Sequence, residues 1–287
     1  MTIIIRKETM SKLIITHMSP DLDAITSSWL IKRYLPGWDE AEHAFVPAGE
    51  TYEGMKPDDD PDIIHVDTGL GRFDHHQFSE ELSATKRVFD HLAEEGYVKE
   101  KDLEALEQMT NFVTTIDNFG EVRFPDPTDV KYTFCLHEFI YPLRGQLSSD
   151  HEIMSMVMLI LDSILFTVKN NLKAEEEIKE GVVLKTPWGR TLVMETRNEA
   201  AVKYALKKGY EMVVRRDPEN KTIRIKTQPE PKYNLTPLYE KMLEVDGKAS
   251  WFLHASKHML LNGSSKNPNS VPSSLSVKQL IEILKGM

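Results

Sequence analysis

The stretch KLIITHMSPDLDAITSSWLIKRYL, residues 12–35, decides the fold of the first part of the chain. It begins with an apolar run of strand length, continues through a turn that contains proline, and ends in a segment with helical spacing. The segments AEHAFVPAG at 41–49 and DIIHVDTG at 62–69 repeat the strand signature. This order predicts a parallel sheet covered by helices.

Helical patterns follow these strands. Residues 80–117 predict two helices with a break near Gly96. A further helix is expected at about 149–171, where the excess of Met and Leu predicts that most of the helix is buried.

The last third of the chain has a different pattern. Residues 182–196 and 210–227 are each typical of a hairpin, and 199–209 between them is typical of a helix. We therefore predict an α/β fold with two domains, at 1–181 and 182–287, of which the second is a smaller α+β domain.

The composition of the 287 residues is that of a globular protein, with 40% hydrophobic and 28% charged residues. The net charge of −10 argues against bulk attraction to nucleic acid. No run of roughly 18 apolar residues is evident, so we expect a cytoplasmic protein that does not bind membranes. Cys135, the single cysteine, cannot form an internal disulfide or build a thiolate site alone. Any metal must therefore be held by oxygen and nitrogen.

Three short segments, HMSPDLDA, HVDTG and FDHHQ, concentrate side chains that bind metal ions. His17 and Asp67 each end a predicted strand, so both are expected at the carboxyl edge of the sheet. Taken alone, each aspartate is as typical of a helix cap or a turn; the joint pattern favours a metal site. The candidate ligands are His17, Asp21, Asp23, Asp67, His75 and Asp117.

Four carboxylates within a few ångströms raise one another's pKa unless cations compensate them. Two divalent cations would balance the four charges, and two neutral imidazoles would complete their shells. Oxygen-rich ligands favour Mn²⁺, with Mg²⁺ as the alternative and Zn²⁺ or Fe²⁺ as further options. Two cations about 4 Å apart can generate hydroxide and clamp a phosphoryl group, which predicts phosphoester hydrolysis. Acyl transfer is less favoured because no G-x-S-x-G motif is present.

In their order, HMSPDLDA, HVDTG and FDHHQ resemble the motifs of the DHH phosphoesterase superfamily, which includes RecJ-type nucleases and manganese pyrophosphatases. TTIDNFG at 114–120 and WFLHASKHMLLNGSSKNP at 251–268 are similar to the Myg-type exonuclease branch. The resemblance implies a metal-binding catalytic domain at 1–181 and a substrate-binding domain at 182–287. Ser19, where many members have Asn, and the absence of a GGGH motif leave the substrate open.

The resemblance also implies individual roles. His17 and Asp21 would hold one metal, Asp23 and His75 the other, and Asp67 and Asp117 would bridge the two. His76 would face the substrate as a catalytic residue. Asp74 would orient the histidines through hydrogen bonds.

The second domain offers a candidate site for a phosphate in HASKH and NGSSKNP. Backbone amides and hydroxyls of the glycine-serine loop, lysine charges and one histidine could meet the anion. The candidate substrate-binding residues are His254, Lys257, Gly263, Ser264, Ser265 and Lys266.

The leading hypothesis is a phosphoesterase that uses hydroxide activated by two metals to hydrolyse a nucleotide or oligonucleotide phosphodiester or phosphomonoester, with exonuclease activity as one form. An alternative substrate is inorganic pyrophosphate, although the C-terminal region supplies only part of the cationic cage that pyrophosphate needs. A second alternative is a module that binds a nucleotide without turnover. The expected partners are a small phosphate compound or short single-stranded nucleic acid, and a homodimer is one option.

Overall fold

The computed structural model describes residues 12–263, 267 and 269–287. The chain divides into two compact units, of which the first ends at Phe166 and the second begins at Thr167. This division falls inside a helix, whereas the predicted domain boundary follows residue 181. The boundary at 181 stays a prediction.

The first unit has a three-stranded parallel sheet in the order β2-β1-β3. Its strands are β1 (Leu13–His17), β2 (Glu42–Val46) and β3 (Ile63–His65). In the centre, the buried Ile14 pairs with His43 on one side and Ile64 on the other. Because the strands run the same way, their carboxyl ends lie at one edge. The predicted parallel sheet is confirmed.

The third strand is shorter than its sequence indicated. β3 ends at His65, and Val66 forms only an isolated bridge with Phe73. Asp67 then takes a left-handed backbone conformation with a φ of 54°, which the extended backbone of a strand does not contain. The expectation that Asp67 ends the strand is therefore corrected: it lies just beyond the strand, at the same carboxyl edge.

Helices flank this sheet, as predicted. They are α1 (Leu22–Tyr34), α2 (Ala84–Glu94), α3 (Glu100–Asp117), α4 (Leu136–Leu143) and α5 (Asp150–Glu180). The break between α2 and α3 includes Gly96, whose φ of 72° suits glycine. The sequence did not indicate α4, a short helix that contains Pro142.

Helix α5 corrects the expectation that most of this helix is buried. By length and composition it could cross a membrane, since an 18-residue window has a mean hydropathy of 1.6, and only 28% of that window is buried. Its buried stripe contains Val157, Leu161 and Leu165, whereas Leu159 and Phe166 are exposed. The helix is thus not mostly buried, because apolar residues occupy more of its surface than the stripe that packs. The cytoplasmic location stays a prediction.

The second unit has a six-stranded, mostly antiparallel sheet in the order β4-β5-β6-β7-β9-β8. Its strands are β4 (Val182–Thr186), β5 (Gly189–Glu195), β6 (Met212–Arg216), β7 (Ile223–Thr227), β8 (Trp251–Leu253) and β9 (Met259–Asn262). Its remaining helices are α6 (Ala200–Lys207), α7 (Thr236–Val245) and α8 (Val277–Lys285). Both predicted hairpins and the helix between them are present. Val214, Ile225 and Leu238 belong to the core of this unit.

Candidate metal centre

The carboxyl edge of the first sheet gathers all six predicted metal ligands. Together with His76 they form three overlapping groups, and in each group the ligand atoms lie within 4.8 Å of one another. The groups are His17 with Asp21 and Asp67, Asp23 with His75 and Asp117, and Asp67 with His75 and His76. The first two groups match the two metal positions that the family resemblance implies. Their role as ligands stays a prediction.

His17 presents one ring nitrogen to the cluster. Its Nδ1 donates a hydrogen bond to the Met18 carbonyl at 2.9 Å, and its Nε2 lies 3.2 Å from Asp67 Oδ2. The carbonyl fixes the proton on Nδ1 and turns Nε2 toward the carboxylates. Such a backbone partner is typical of a histidine that binds a metal through its other nitrogen.

His75 lies among three carboxylates. Its Nε2 is 3.3 Å from Asp67 Oδ1, 3.4 Å from Asp117 Oδ2 and 3.7 Å from Asp23 Oδ2. In the described part of the chain, His75 Nε2, Asp67 Oδ1 and Asp117 Oδ2 are buried and have no partner with hydrogen-bond geometry. Three polar atoms therefore converge without satisfying one another.

These unpartnered atoms fit a divalent cation. Buried polar atoms without partners are costly in proteins, and a cation between them would satisfy carboxylate oxygen and imidazole nitrogen together. The donors are oxygen and nitrogen only, which suits Mn²⁺, Mg²⁺ or Zn²⁺ better than a metal that requires sulfur. The arrangement thus fits a bound cation without identifying it.

The two aspartates of the first turn also have structural roles. Asp21 caps α1, since its Oδ1 accepts from the Asp23 and Ala24 amides. The carboxylate of Asp23 accepts from the Ala84 amide at 2.7 Å and from the Thr85 amide at 2.8 Å, at the start of α2. These aspartates are therefore helix caps as well as members of the cluster, and the capping bonds hold them in place. Each oxygen of Asp23 accepts one of these two amides and retains a second lone pair for a cation.

The electrostatics of the cluster are those of crowded carboxylates. Burial, with repulsion from Asp67 and Asp117, raises the pKa of Asp23 well above its usual value. Burial also raises the pKa of Asp117 to about 6. Burial opposes the charged form of Asp67, but its interactions with His17 and His75 outweigh this and lower its pKa to about 2.

The two histidines respond in the opposite direction. Asp67 raises the pKa of His75 to about 9, although burial opposes the rise. Burial also works against the charged form of His17, yet its bonds to Asp67 and Met18 raise its pKa to about 9. Before a cation binds, both ring nitrogens of each histidine therefore carry a proton, and the two positive charges partly neutralise the carboxylates.

Asp74 orients one of the histidines, His76. Asp74 Oδ1 accepts from His76 Nδ1 at 2.7 Å and from the His76 amide, and Asp74 Oδ2 accepts from the Leu70 amide. The proton is thereby held on Nδ1 of His76, whose side chain is more than half exposed. Among the described contacts, Asp74 orients His76 and not His75.

Two cavities adjoin the cluster, and Asp21 and Asp117 line both. The first, of about 470 Å³, is also lined by His17, Asp67 and His76. The second, of about 430 Å³, includes His137 and Arg144. Neither His137 nor Arg144 was among the predicted site residues.

Strained backbone surrounds the cluster and its cavities. Among the described non-glycine residues with a positive φ, four belong to the cluster or line its cavities: Ser19, Asp67, Leu70 and Phe119, each with a φ near 55°. Each such conformation costs about 1–3 kcal/mol and is common at functional sites. Hydrogen bonds hold some of them, since the Ser19 amide donates to Asp150 and the Leu70 amide to Asp74.

Three of the six predicted substrate-binding residues are described by the structure, and they lie at the two ends of β9. His254 and Lys257 lie in the turn before β9, and Gly263 follows the end of that strand. Four strand residues, at about 3.4 Å each, separate the two ends. Ser264, Ser265 and Lys266 lie outside the described residues. A phosphate site formed by these residues stays a prediction.

Comparison with known proteins gives matches to solved structures at low identity and low TM-score. No family model matches the chain, and no curated protein matches it. The chain is similar to a solved DHH domain described as a member of a family of ribosomal proteins, with 12% identity, a TM-score of 0.32, and coverage of 96% of this chain and 86% of the other.

It is also similar to RecJ from Thermus thermophilus, solved in complex with Mg²⁺, with 10% identity and a TM-score of 0.31. That match covers 96% of this chain but only 54% of the RecJ chain. The first of these two solved structures is described as a DHH domain. The narrower resemblance to the Myg-type branch stays a prediction.

Proposed function

We propose that this protein is a metal-dependent phosphoesterase that hydrolyses a nucleotide or oligonucleotide phosphoester. The observation that carries the proposal is the convergence of six predicted ligands from separate segments into groups with ligand atoms within 4.8 Å. The cofactor we propose is a pair of divalent cations, most simply Mn²⁺, with Mg²⁺ as the alternative. Bound cations of this kind supply a nucleophile at neutral pH and offset charge on phosphoryl oxygens.

Two groups of three residues would each hold one cation. His17, Asp21 and Asp67 would hold one cation, and Asp23, His75 and Asp117 the other. The Met18 carbonyl and the start of α2 hold His17 and Asp23 in their positions. These contacts reduce the movement that the ligands need when a cation binds.

His76 is the residue that we assign to the substrate. It lines the cavity shared with Asp67, and its Nδ1 is engaged by Asp74. Its Nε2 remains for a phosphoryl oxygen or the leaving group, where it would stabilise charge or transfer a proton. Asp74 would act through His76 by fixing its tautomer.

The test is a substrate panel with the purified full chain. Mn²⁺ and Mg²⁺ would be assayed with bis-nitrophenyl phosphate, dinucleotides, short single-stranded DNA and RNA, and pyrophosphate. We expect hydrolysis of a nucleotide ester that Asp67→Asn abolishes together with cation binding. Asp90→Asn is a matched control, because Asp90 lies on α2 and pairs with Lys86 outside the cluster.

Each outcome has a distinct meaning. Cation binding without hydrolysis of any substrate would reject the phosphoesterase and favour the nucleotide-binding module. Hydrolysis of pyrophosphate alone would reject the nucleotide substrate. Oligonucleotide binding that weakens steeply with salt would support a nucleic-acid partner.

A further inference from the structure

The second cavity beside the cluster combines apolar walls with the acidic edge. It measures about 430 Å³, within the range of small-molecule sites. Leu22, Val113, Ile116 and Ile140 supply apolar walls, while Asp21, Asp23 and Asp117 line the side that belongs to the cluster. A phosphoryl group at the cluster would therefore have an apolar space next to it.

Two residues that line this cavity each have one buried polar atom without a partner. In the part of the chain that the structure describes, Nδ1 of His137 and Nε of Arg144 are buried and make no hydrogen bond. The Arg144 side chain is held by its other end, which donates to the Pro20 carbonyl at 3.1 Å. A guanidinium at the wall of a cavity is suited to a ligand atom that accepts a hydrogen bond, because it carries five N–H donors.

Aromatic rings with unusual exposure also line the cavity. Phe119 is 75% exposed and Tyr141 is 78% exposed. The Arg144 guanidinium lies over the Tyr141 ring, 5.5 Å from its centroid. Exposed aromatic and guanidinium planes are the surfaces on which heterocyclic bases stack.

We infer that this cavity binds the base of a nucleoside phosphoester, with Phe119 and Tyr141 as stacking residues and Arg144 and His137 as hydrogen-bonding residues. The inference rests on the proposed function, because Asp21, Asp23 and Asp117 belong to both the cavity and the metal cluster. A planar base with acceptor atoms on its edge satisfies both the apolar and the polar walls. Inorganic pyrophosphate has no group that would occupy this space.

The experiment measures binding of the base without phosphoryl chemistry. Adenosine and uridine are titrated into the full chain without added cations, with ribose as the comparator, and binding is followed by ligand-observed NMR. We expect contacts to the base protons and none to ribose. Tyr141→Ala and Phe119→Ala should each weaken nucleoside binding by about 5- to 150-fold, the range measured for loss of one stacking contact.

Phe134→Ala is the matched control. Phe134 is 76% exposed and is not among the described residues that line the cavity, so its replacement should leave nucleoside binding unchanged. Equal loss in Phe134→Ala, or unchanged binding in both cavity variants, would overturn the inference. Circular dichroism of the three variants would exclude loss of folding as the cause.

The result also separates this inference from the proposed function. Phosphoester hydrolysis without nucleoside binding would overturn the base site and leave the phosphoesterase intact. Nucleoside binding that depends on Phe119 and Tyr141 but occurs without hydrolysis would support the site and remove the enzymatic proposal.

Discussion

Cation binding to the cluster is expected to release protons, and their number follows from the histidines. Interactions with Asp67 bring the pKa of His75 to about 9, and the pKa of His17 also reaches about 9 despite its burial. At pH 7.5 such a group is roughly 97% protonated. An imidazole nitrogen must lose its proton before it binds a metal. The two histidines should therefore release about two protons when both cations bind.

The direction of the pH dependence follows from the same values. A raised histidine pKa means that protons compete with the cation at every pH below about 9. For each proton released, affinity should fall about tenfold for each unit by which the pH is lowered. Asp23, whose pKa is also raised, would add to the released protons.

The assay is calorimetric titration of Mn²⁺ into the full chain at pH 7.5, in three buffers that differ in ionisation enthalpy. The dependence of the observed heat on that enthalpy gives the number of protons released. His17→Gln should release about one proton fewer. His43→Gln is the control, because burial and Lys32 lower the pKa of His43 to about 4, so this histidine is already neutral.

Two results would refute the reasoning. One is a release near zero in the unmodified chain, which would mean that the histidines are not protonated or do not bind the cations. The other is an unchanged release in His17→Gln.

Three further predictions concern other parts of the structure. Asp74→Asn should lower kcat by about 10- to 100-fold with cation content unchanged, because His76 loses the acceptor that holds its tautomer. Steady-state kinetics would measure kcat and elemental analysis the cation content. An unchanged kcat would contradict the prediction. Leu161 on α5 is 2% exposed, so Leu161→Ala should reduce the free energy of unfolding by about 2–5 kcal/mol. Leu159 on the same helix is 68% exposed, so Leu159→Ala should change it by less than about 0.5 kcal/mol. Urea denaturation would compare the two variants, and equal effects would show that α5 packs differently. Burial raises the pKa of Asp117 to about 6, so this side chain loses its negative charge as the pH falls through 6. The Mn²⁺ affinity of the unmodified chain should therefore fall more in that range than the affinity of Asp117→Asn. Calorimetry at pH 5 and 7 would measure the difference, and parallel pH profiles would argue against Asp117 as a ligand.

The convergence of the cluster could be predicted because it depends on simple topology. A parallel sheet brings the ends of its strands to one edge, and His17 and Asp67 follow two neighbouring strands. The hairpins of the second unit were predictable for a similar reason, since local turn residues separate their strands. In both cases each strand and the polar or turn residues at its end can be recognised within a few residues of sequence.

The second cavity could not be predicted because its contacts are distant in sequence. Arg144 donates to the Pro20 carbonyl across 124 positions, and Arg144 belongs to none of the motifs. Helix α4, which precedes Arg144, is only eight residues long and contains Pro142, which disfavours a helical prediction. Packing against the rest of the unit, rather than the periodicity of its own sequence, therefore stabilises a short helix of this kind.

The exposure of α5 was mispredicted for another reason. Its apolar residues extend beyond the stripe of Val157, Leu161 and Leu165, so periodicity alone could not tell which of them pack. Asp67 shows the same limit at a single residue. Its left-handed φ of 54° is not typical of aspartate within a strand pattern, and only the structure places it beyond β3.

The hydrogen bonds from the start of α2 to Asp23 influence which ions the metal cluster could bind. Two amides at the start of a helix hold that carboxylate, whereas Oδ2 of Asp117 has no hydrogen bond within the described residues. Hydrogen bonds from a helix thus fix the carboxylate of Asp23, whereas no such bond holds Oδ2 of Asp117. Efforts to retune the preferred ionic radius should therefore begin at Asp117 and leave Asp23 untouched.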